Sequence, residues 1–286
     1  MSSSQTILLA DSGSTKTEWC LVKQDNASKT LFTGGLNPYY HTEESIGEIL
    51  RDKLIPALDN IPVDGVYFYG AGCTGDEHTT MLRKVLSDVF GTETVEVESD
   101  IMGSVRAVCG HKPGIAGILG TGANSCKYDG EKVIDNVPVL GFILGDEGSA
   151  GYFGRKILQG YFYREMPEDL KNDLEASYDM NRGTILENVY KKPQPNTYVA
   201  GFAKFIGRHS GHPYIQGILR EGLQETVQRH ILKYDGVYEV PVGFVGSVAY
   251  HNAALLRDVL RENGLTAGEI LQNPMPNLVK YHRGLI

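Results

Sequence analysis

Two adjacent carboxylates, Asp146 and Glu147, stand in the run Gly145-Asp146-Glu147-Gly148-Ser149-Ala150-Gly151. Folding alone explains them poorly. Glu147 suits a helix N-terminus electrostatically. Asp146, at a strand-to-helix turn, is placed to accept hydrogen bonds from ligand hydroxyls, with plain capping as the alternative. Asp100 follows a short strand and precedes a helix. It or Ser99 caps that helix. The chemical reading is a general base that takes the proton from an attacking hydroxyl in phosphoryl transfer.

Two Gly- and hydroxyl-rich turns complete the set. In Asp11-Ser12-Gly13-Ser14-Thr15-Lys16-Thr17, exposed backbone N–H groups can cradle phosphate oxygens as an anion nest. Thr15 and Lys16 can reach a terminal phosphate. Asp11, at a strand end, suits a magnesium ion held through water. The turn is not a GxxxxGK[ST] loop opening a helix, and Gly/Ser turns also serve as ordinary hairpin turns. Gly120-Thr121-Gly122-Ala123-Asn124-Ser125 occupies the matching place in the second half of the chain. Two such hairpins are more telling than either alone. Asn37, before Pro38, is a loop residue or a ligand contact. Gly246-Ser247 is a strand-to-helix turn that could pack an adenine. The eight histidines form no HExxH or HxH cluster and read as surface or packing residues.

The elements that must position these residues repeat. Ile7–Ala10 and Thr17–Lys23 read as a hairpin, and Leu31–Gly34 as a third strand. A helical face runs from Glu43 to Leu58. Strands at Val63–Tyr69 and Val95–Val97 are each followed by a helix, the second from Ile101 to Cys109. The pattern then restarts: Ile115–Leu119, a turn, Ser125–Tyr128, and Lys132–Val137. From Gly148 to about Lys233 the chain is mostly helical. Val242–Val245 returns as a strand, a helix spans Tyr250 to Asn263, and a last helix lies near Asn277 to His282. The expected fold is α/β with two ribonuclease-H-like domains and a nucleotide-binding cleft between them. The expected domains are 1–108 with about 272–286, and 109–271.

Composition narrows the class. At 41% hydrophobic and 22% charged, the chain of 286 residues has ample core material for two domains. A net charge of −8 with scattered basic residues argues against a nucleic-acid surface. Cys20, Cys73, Cys109 and Cys126 form no CxxC, the pattern of incidental thiols in a reduced compartment. No apolar run approaches membrane-spanning length, so a soluble cytoplasmic protein with no membrane partner is expected.

Taken in order, DSGSTKT, GGLN, GAGCTG, Ser99-Asp100, GTGANS, GDEGSAG and GFVGS resemble the N-acetylglucosamine kinase and BadF/BadG-type ATPase family. That family lies in the actin/hexokinase/Hsp70 superfamily. The resemblance runs nearly end to end, and GDEGS downstream of GTGxNS is its most specific part. It implies an ATP- and Mg²⁺-dependent kinase acting on a small amino-sugar such as N-acetylglucosamine or a related hexosamine. Ser12, Gly13, Ser14, Thr15 and Lys16 would contact ATP, as would Gly120, Thr121, Gly122, Gly246 and Ser247. Asn37, Asn124, Gly141 and Asp146 would contact sugar. Asp100 would contact it too, as the base. One departure stands out: the family's Gly-Trp-Gly reads Val139-Leu140-Gly141 here, which removes an aromatic wall. The alternatives are a BadF-type ATPase activase and a catalytically silent sugar-binding regulator, and a homodimer is left open.

Overall fold

The computed structural model describes residues 5–13, 16–23, 28–59, 61–73 and 75–286. The chain divides into two compact units. One comprises Met1–Lys112, Gly130–Lys132 and Asn273–Ile286; the other comprises Pro113–Asp129 and Val133–Gln272.

The first unit is built on strands β1 (Ile7–Ser12), β2 (Lys16–Val22), β3 (Ser28–Gly34), β4 (Gly65–Gly70) and β5 (Val95–Ser99), in sheet order β3-β2-β1-β4-β5. β1 runs antiparallel to β2 and parallel to β4, with Asp11 opposite Glu18 on one side and Tyr69 on the other. β4 is buried at every position, as a central strand of a partly parallel sheet must be. Helices α1 (Glu43–Ile49), α2 (Ile55–Ala57), α3 (Asp76–Phe90) and α4 (Asp100–Cys109) follow the strands. The expected single helix over 43–58 is interrupted. A π-turn over Leu50–Leu54 separates α1 from α2, with Ile55 N–H donating to the Leu50 carbonyl. Pro56 lies directly after it and has no N–H to return to the preceding turn, a recognised cause of a broken α ladder. The core gathers Leu8, Trp19, Leu21, Leu36, Leu50, Phe68 and Leu82.

The second unit repeats the plan. β6 (Gly114–Leu119), β7 (Ala123–Tyr128), β8 (Val133–Asp135), β9 (Val242–Val245) and β10 (Ala267–Leu271) take the order β10-β9-β6-β7-β8. Again the first strand is antiparallel to the second and parallel to the fourth. This shared strand order is the ribonuclease-H-like pattern. β10 was not anticipated from the sequence: it is a partly exposed edge strand whose register shifts against β9.

α5 (Gly141–Leu144) and α6 (Ala150–Phe162) follow the hairpin strands. A helical layer then comprises α7 (Glu168–Ser177), α8 (Arg182–Tyr190), α9 (Pro195–Ala200), α10 (Ala203–Arg208) and α11 (Pro213–Arg229). It buries Phe153, Ile157, Leu174, Phe205 and Leu219. α12 (Ser247–His251) and α13 (Ala253–Glu262) pack the sheet through Ala249, Leu256 and Leu260 against Ile115 and Phe244. The last helix, α14 (Met275–His282), belongs to the first unit, where Asn277 Nδ2 donates to the Ala107 carbonyl of α4 at 2.9 Å.

Candidate active site

In the first unit the ends of β1 and β5 bring Asp11 and Asp100 into electrostatic contact. Burial, then Asp100, then Glu18 across the ladder raise the Asp11 carboxyl to about 7, opposed by Lys16. Ser99, not Asp100, caps α4: its hydroxyl accepts from Met102 N–H at 3.4 Å. Asp100 Oδ1 accepts from Ile101 N–H at 2.9 Å. Burial pushes its carboxyl above the ordinary range, and that backbone hydrogen bond offsets part of the rise. A carboxylate shifted upward in this way is better matched to proton abstraction near neutrality. Carboxylates of this kind are the donor type that a hard cation such as Mg²⁺ uses, one or two at a time and with water filling the remaining positions.

The first turn closes tightly, Gly13 N–H donating to the Lys16 carbonyl at 3.0 Å. Ser14 and Thr15 lie outside the described residues. Lys16 is exposed, its ammonium 4.8 Å from the Phe32 ring centroid. The Ser12 side chain turns inward. Its buried hydroxyl lies 2.8 Å from Thr17 Oγ1 and accepts from Leu36 N–H at 3.1 Å, so it anchors the segment leading to Asn37. Asn37 is buried, and its Oδ1 accepts from Tyr39 N–H at 2.9 Å. A Cβ on Gly72 would come within 2.4 Å of that Oδ1, so the Gly70-Ala71-Gly72 turn presses directly on Asn37.

In the second unit the GTGANS turn meets the GDEGS segment. Asp146 Oδ1 accepts from Ala123 N–H at 3.3 Å, and a Cβ on Gly122 would sit 3.0 Å from Oδ2. Burial raises the Asp146 carboxyl, the Ala123 N–H lowers it, and the neighbouring Glu147 raises it again. Ser149 caps α6, donating its own N–H to the Asp146 carbonyl and accepting from Tyr152 N–H. The first N–H groups of α6 tie down the turn: Ala150 donates to Gly120 at 2.8 Å and Gly151 to Thr121 at 3.0 Å. Thr121 remains exposed. Asn124 Oδ1 accepts from Ser125 N–H and from Asn136 Nδ2. Gly246 ends β9 at φ 121°, its N–H donating to Leu271 at 2.9 Å, and Ser247 opens α12 exposed. Gly141 opens α5 with open space beside it; Leu140, Ile143 and Leu144 around it are largely exposed.

The sequence did not reveal what holds Glu147. His230, at the end of α11, donates from Nε2 to Glu147 Oε2 at 2.9 Å. Burial opposes ionisation of Glu147, yet this hydrogen bond brings its carboxyl below the ordinary value. His230 is thus a buried hydrogen-bond partner of the GDEGS segment, more than a packing residue. Nothing local marks it: it stands in Gln228-Arg229-His230 at an unremarkable helix end. The thiols of Cys73 and Cys109 are pushed up to about 12, first by burial, which makes them poor thiolate ligands.

No protein-family model matches the chain, and no curated protein does. Solved structures do. One from Porphyromonas gingivalis, provisionally named an N-acetylglucosamine kinase, is 39% identical, with a TM-score of 0.92 over 97% of this chain and 99% of its own. The chain belongs to the N-acetylglucosamine kinase family. A more distant structure given the same provisional name, from Chromobacterium violaceum, is 17% identical with a TM-score of 0.74 over 98% and 99% of the two chains. A ROK-family glucokinase from Streptomyces griseus, solved with glucose and AMPPNP, is 18% identical at a TM-score of 0.55 over 96% and 97%. At those identities both speak for the fold alone, the actin-like α/β arrangement shared by these kinases. No helix among the described residues of this family member is long and apolar enough to cross a membrane.

Proposed function

We propose that this protein transfers the γ-phosphoryl group of ATP to a hydroxyl of a small amino-sugar, N-acetylglucosamine or a related hexosamine. The observation that carries the reading is the 39% identical, full-length relationship to a structure provisionally named N-acetylglucosamine kinase. The Asp11–Asp100 pair and the Gly122–Asp146 approach support it.

In this reading Asp100 accepts the proton of the attacking hydroxyl and Asn37 orients the sugar. Asp146 and Asn124 hold further hydroxyls, with Gly141 at the edge of the sugar contacts. The turns at 12–16 and 120–122 cradle the phosphates with backbone N–H groups other than those of Gly13 and Gly120, which close the turns. Thr15 and Lys16 reach the terminal phosphate, and Gly246 and Ser247 lie against the adenosine. Ser12 contributes its backbone only, since its hydroxyl is committed internally. Magnesium bound with ATP near Asp11 would neutralise charge on the transferring group. The remaining task of the chain is positioning and electrostatic stabilisation, the main sources of rate in phosphoryl transfer. We place the reaction in the cytoplasm, where ATP is available.

A coupled ADP-release screen over N-acetylglucosamine, glucosamine, N-acetylmannosamine and N-acetylmuramic acid, with a sugar-free control, tests the reading. Acceptor-dependent ADP release with at least one hexosamine is expected. Release equal with and without every sugar would instead identify a bare ATPase.

A further inference from the structure

We infer that the last turn of α11 is a positioning clamp for the Asp146 carboxylate, worked by Thr226 and His230. The inference rests on the reading of Asp146 as a sugar ligand and extends it to residues that touch no substrate.

Asp146 has φ 57°, a left-handed conformation that a non-glycine residue keeps only where its surroundings impose it. Its own side chain reaches the GTGANS turn. The restraint comes from the residues after it. The Glu147 carbonyl accepts from Thr226 Oγ1 at 2.8 Å, a proton shared with the Gly222 carbonyl at 2.9 Å, and Glu147 Oε2 accepts from His230 Nε2 at 2.9 Å. Gly148 follows at φ 75°, and a Cβ there would fall 2.2 Å from Thr226 Oγ1. The chain therefore crosses the end of α11 so closely that only glycine fits, with hydrogen bonds fixing the preceding residue at both its backbone and its side chain.

The clamp also separates two neighbouring buried carboxylates. Glu147 turns to α11 and Asp146 to Gly122 and Ala123, so each has its own partner. His230 Nδ1 is buried with no hydrogen-bond partner among the described residues, which leaves Nε2 as the nitrogen that does the holding. Arg229 Nε lies 3.7 Å from Glu147 Oε1, but its side chain is 61% exposed, and an ion pair so solvated adds little restraint.

The test is steady-state kinetics on four variants, using whichever hexosamine of the panel the native protein phosphorylates. His230→Ala should raise the KM for sugar by about tenfold or more while the KM for ATP stays within about twofold, because only the sugar-binding carboxylate is released. His230→Gln, whose amide can still donate to Glu147, should return the sugar KM to within about threefold of native. Thr226→Val, nearly the same volume without the hydroxyl, should raise the sugar KM in the same direction and covers the case in which His230→Ala does not fold. A purely structural role would lower the melting temperature of these variants and leave the sugar KM native, which would overturn the clamp. Asp146→Asn separates the two layers. If it impairs sugar binding while the His230 and Thr226 variants do not, the clamp alone fails. If Asp146→Asn itself leaves the sugar KM native, the parent reading fails and takes the clamp with it.

Discussion

Acid should destabilise the first unit through one side chain, His282. It is 6% exposed at the end of α14. Arg106 Nη1 donates to Tyr69 Oη at 2.7 Å, so the tyrosine proton goes to His282 Nε2, also at 2.7 Å. The imidazole is therefore held neutral, with Nδ1 buried and without a hydrogen-bond partner among the described residues. Tyr67 packs against it at a tilt and Tyr281 meets it edge-on, and Arg106 pairs onward with Glu96. Burial, then Arg106, then His111 push its pKa from 6.5 down to about 3. The unfolded chain takes up a proton near pH 6.5 and the folded chain does not, so stability is full above 6.5 and is lost as pH falls toward about 3. At pH 4 the gap from 6.5 is 2.5 units, which at about 1.4 kcal/mol per unit amounts to about 3 kcal/mol. That is a large part of the 5–15 kcal/mol that holds a typical domain. Urea unfolding followed by fluorescence reads it directly, because the chain's one tryptophan, Trp19, is fully buried in that unit's core. Between pH 7 and pH 4 the native protein should lose about 3 kcal/mol more than His282→Gln, whose side chain does not titrate. A native-minus-variant difference that stays constant with pH would refute the reasoning.

Three further outcomes follow from the site and the core. Gly246→Ala forces a Cβ to within 2.4 Å of the Leu119 carbonyl at φ 121°; calorimetry should show a loss of about 2–4 kcal/mol, and an unchanged melting temperature would contradict the geometry. Phe244→Ala empties a fully buried position among Ile115, Leu256 and Leu260 and should cost about 3–5 kcal/mol in chemical denaturation. Asp11→Asn should raise the Mg²⁺ concentration for half-maximal turnover by about tenfold or more, measured at saturating ATP; an unchanged magnesium titration would remove Asp11 from the cation's surroundings.

The duplicated architecture was readable because its signals are local. A fully apolar strand, a Gly- and hydroxyl-rich turn and a returning strand recur at Ile7 and Ile115, and hairpin chemistry is decided within a few residues. Asp146 stood out as a candidate because it and Glu147 are adjacent carboxylates between glycines, although the segment joins α5 to α6 and not a strand to a helix as its sequence suggested. What escaped depends on distant partners. β10 buries only Ile270 and is defined by pairing with β9 rather than by its own pattern. His230 and Thr226 lie about eighty residues from Glu147, and no spacing rule connects them. The partners of the Ser12 hydroxyl, Thr17 and Leu36, were not readable either, because the fold supplies them.

The account stands on Asp100 as the proton acceptor in an ATP-dependent transfer to sugar. Acceptor-dependent ADP release, measured for the native protein and for Asp100→Ala alongside ATP affinity by calorimetry, tests it most directly. The native protein should release ADP only with a hexosamine present. The variant should lose about a thousandfold in kcat while binding ATP with nearly native affinity. A variant that retains a tenth or more of native kcat would contradict the account.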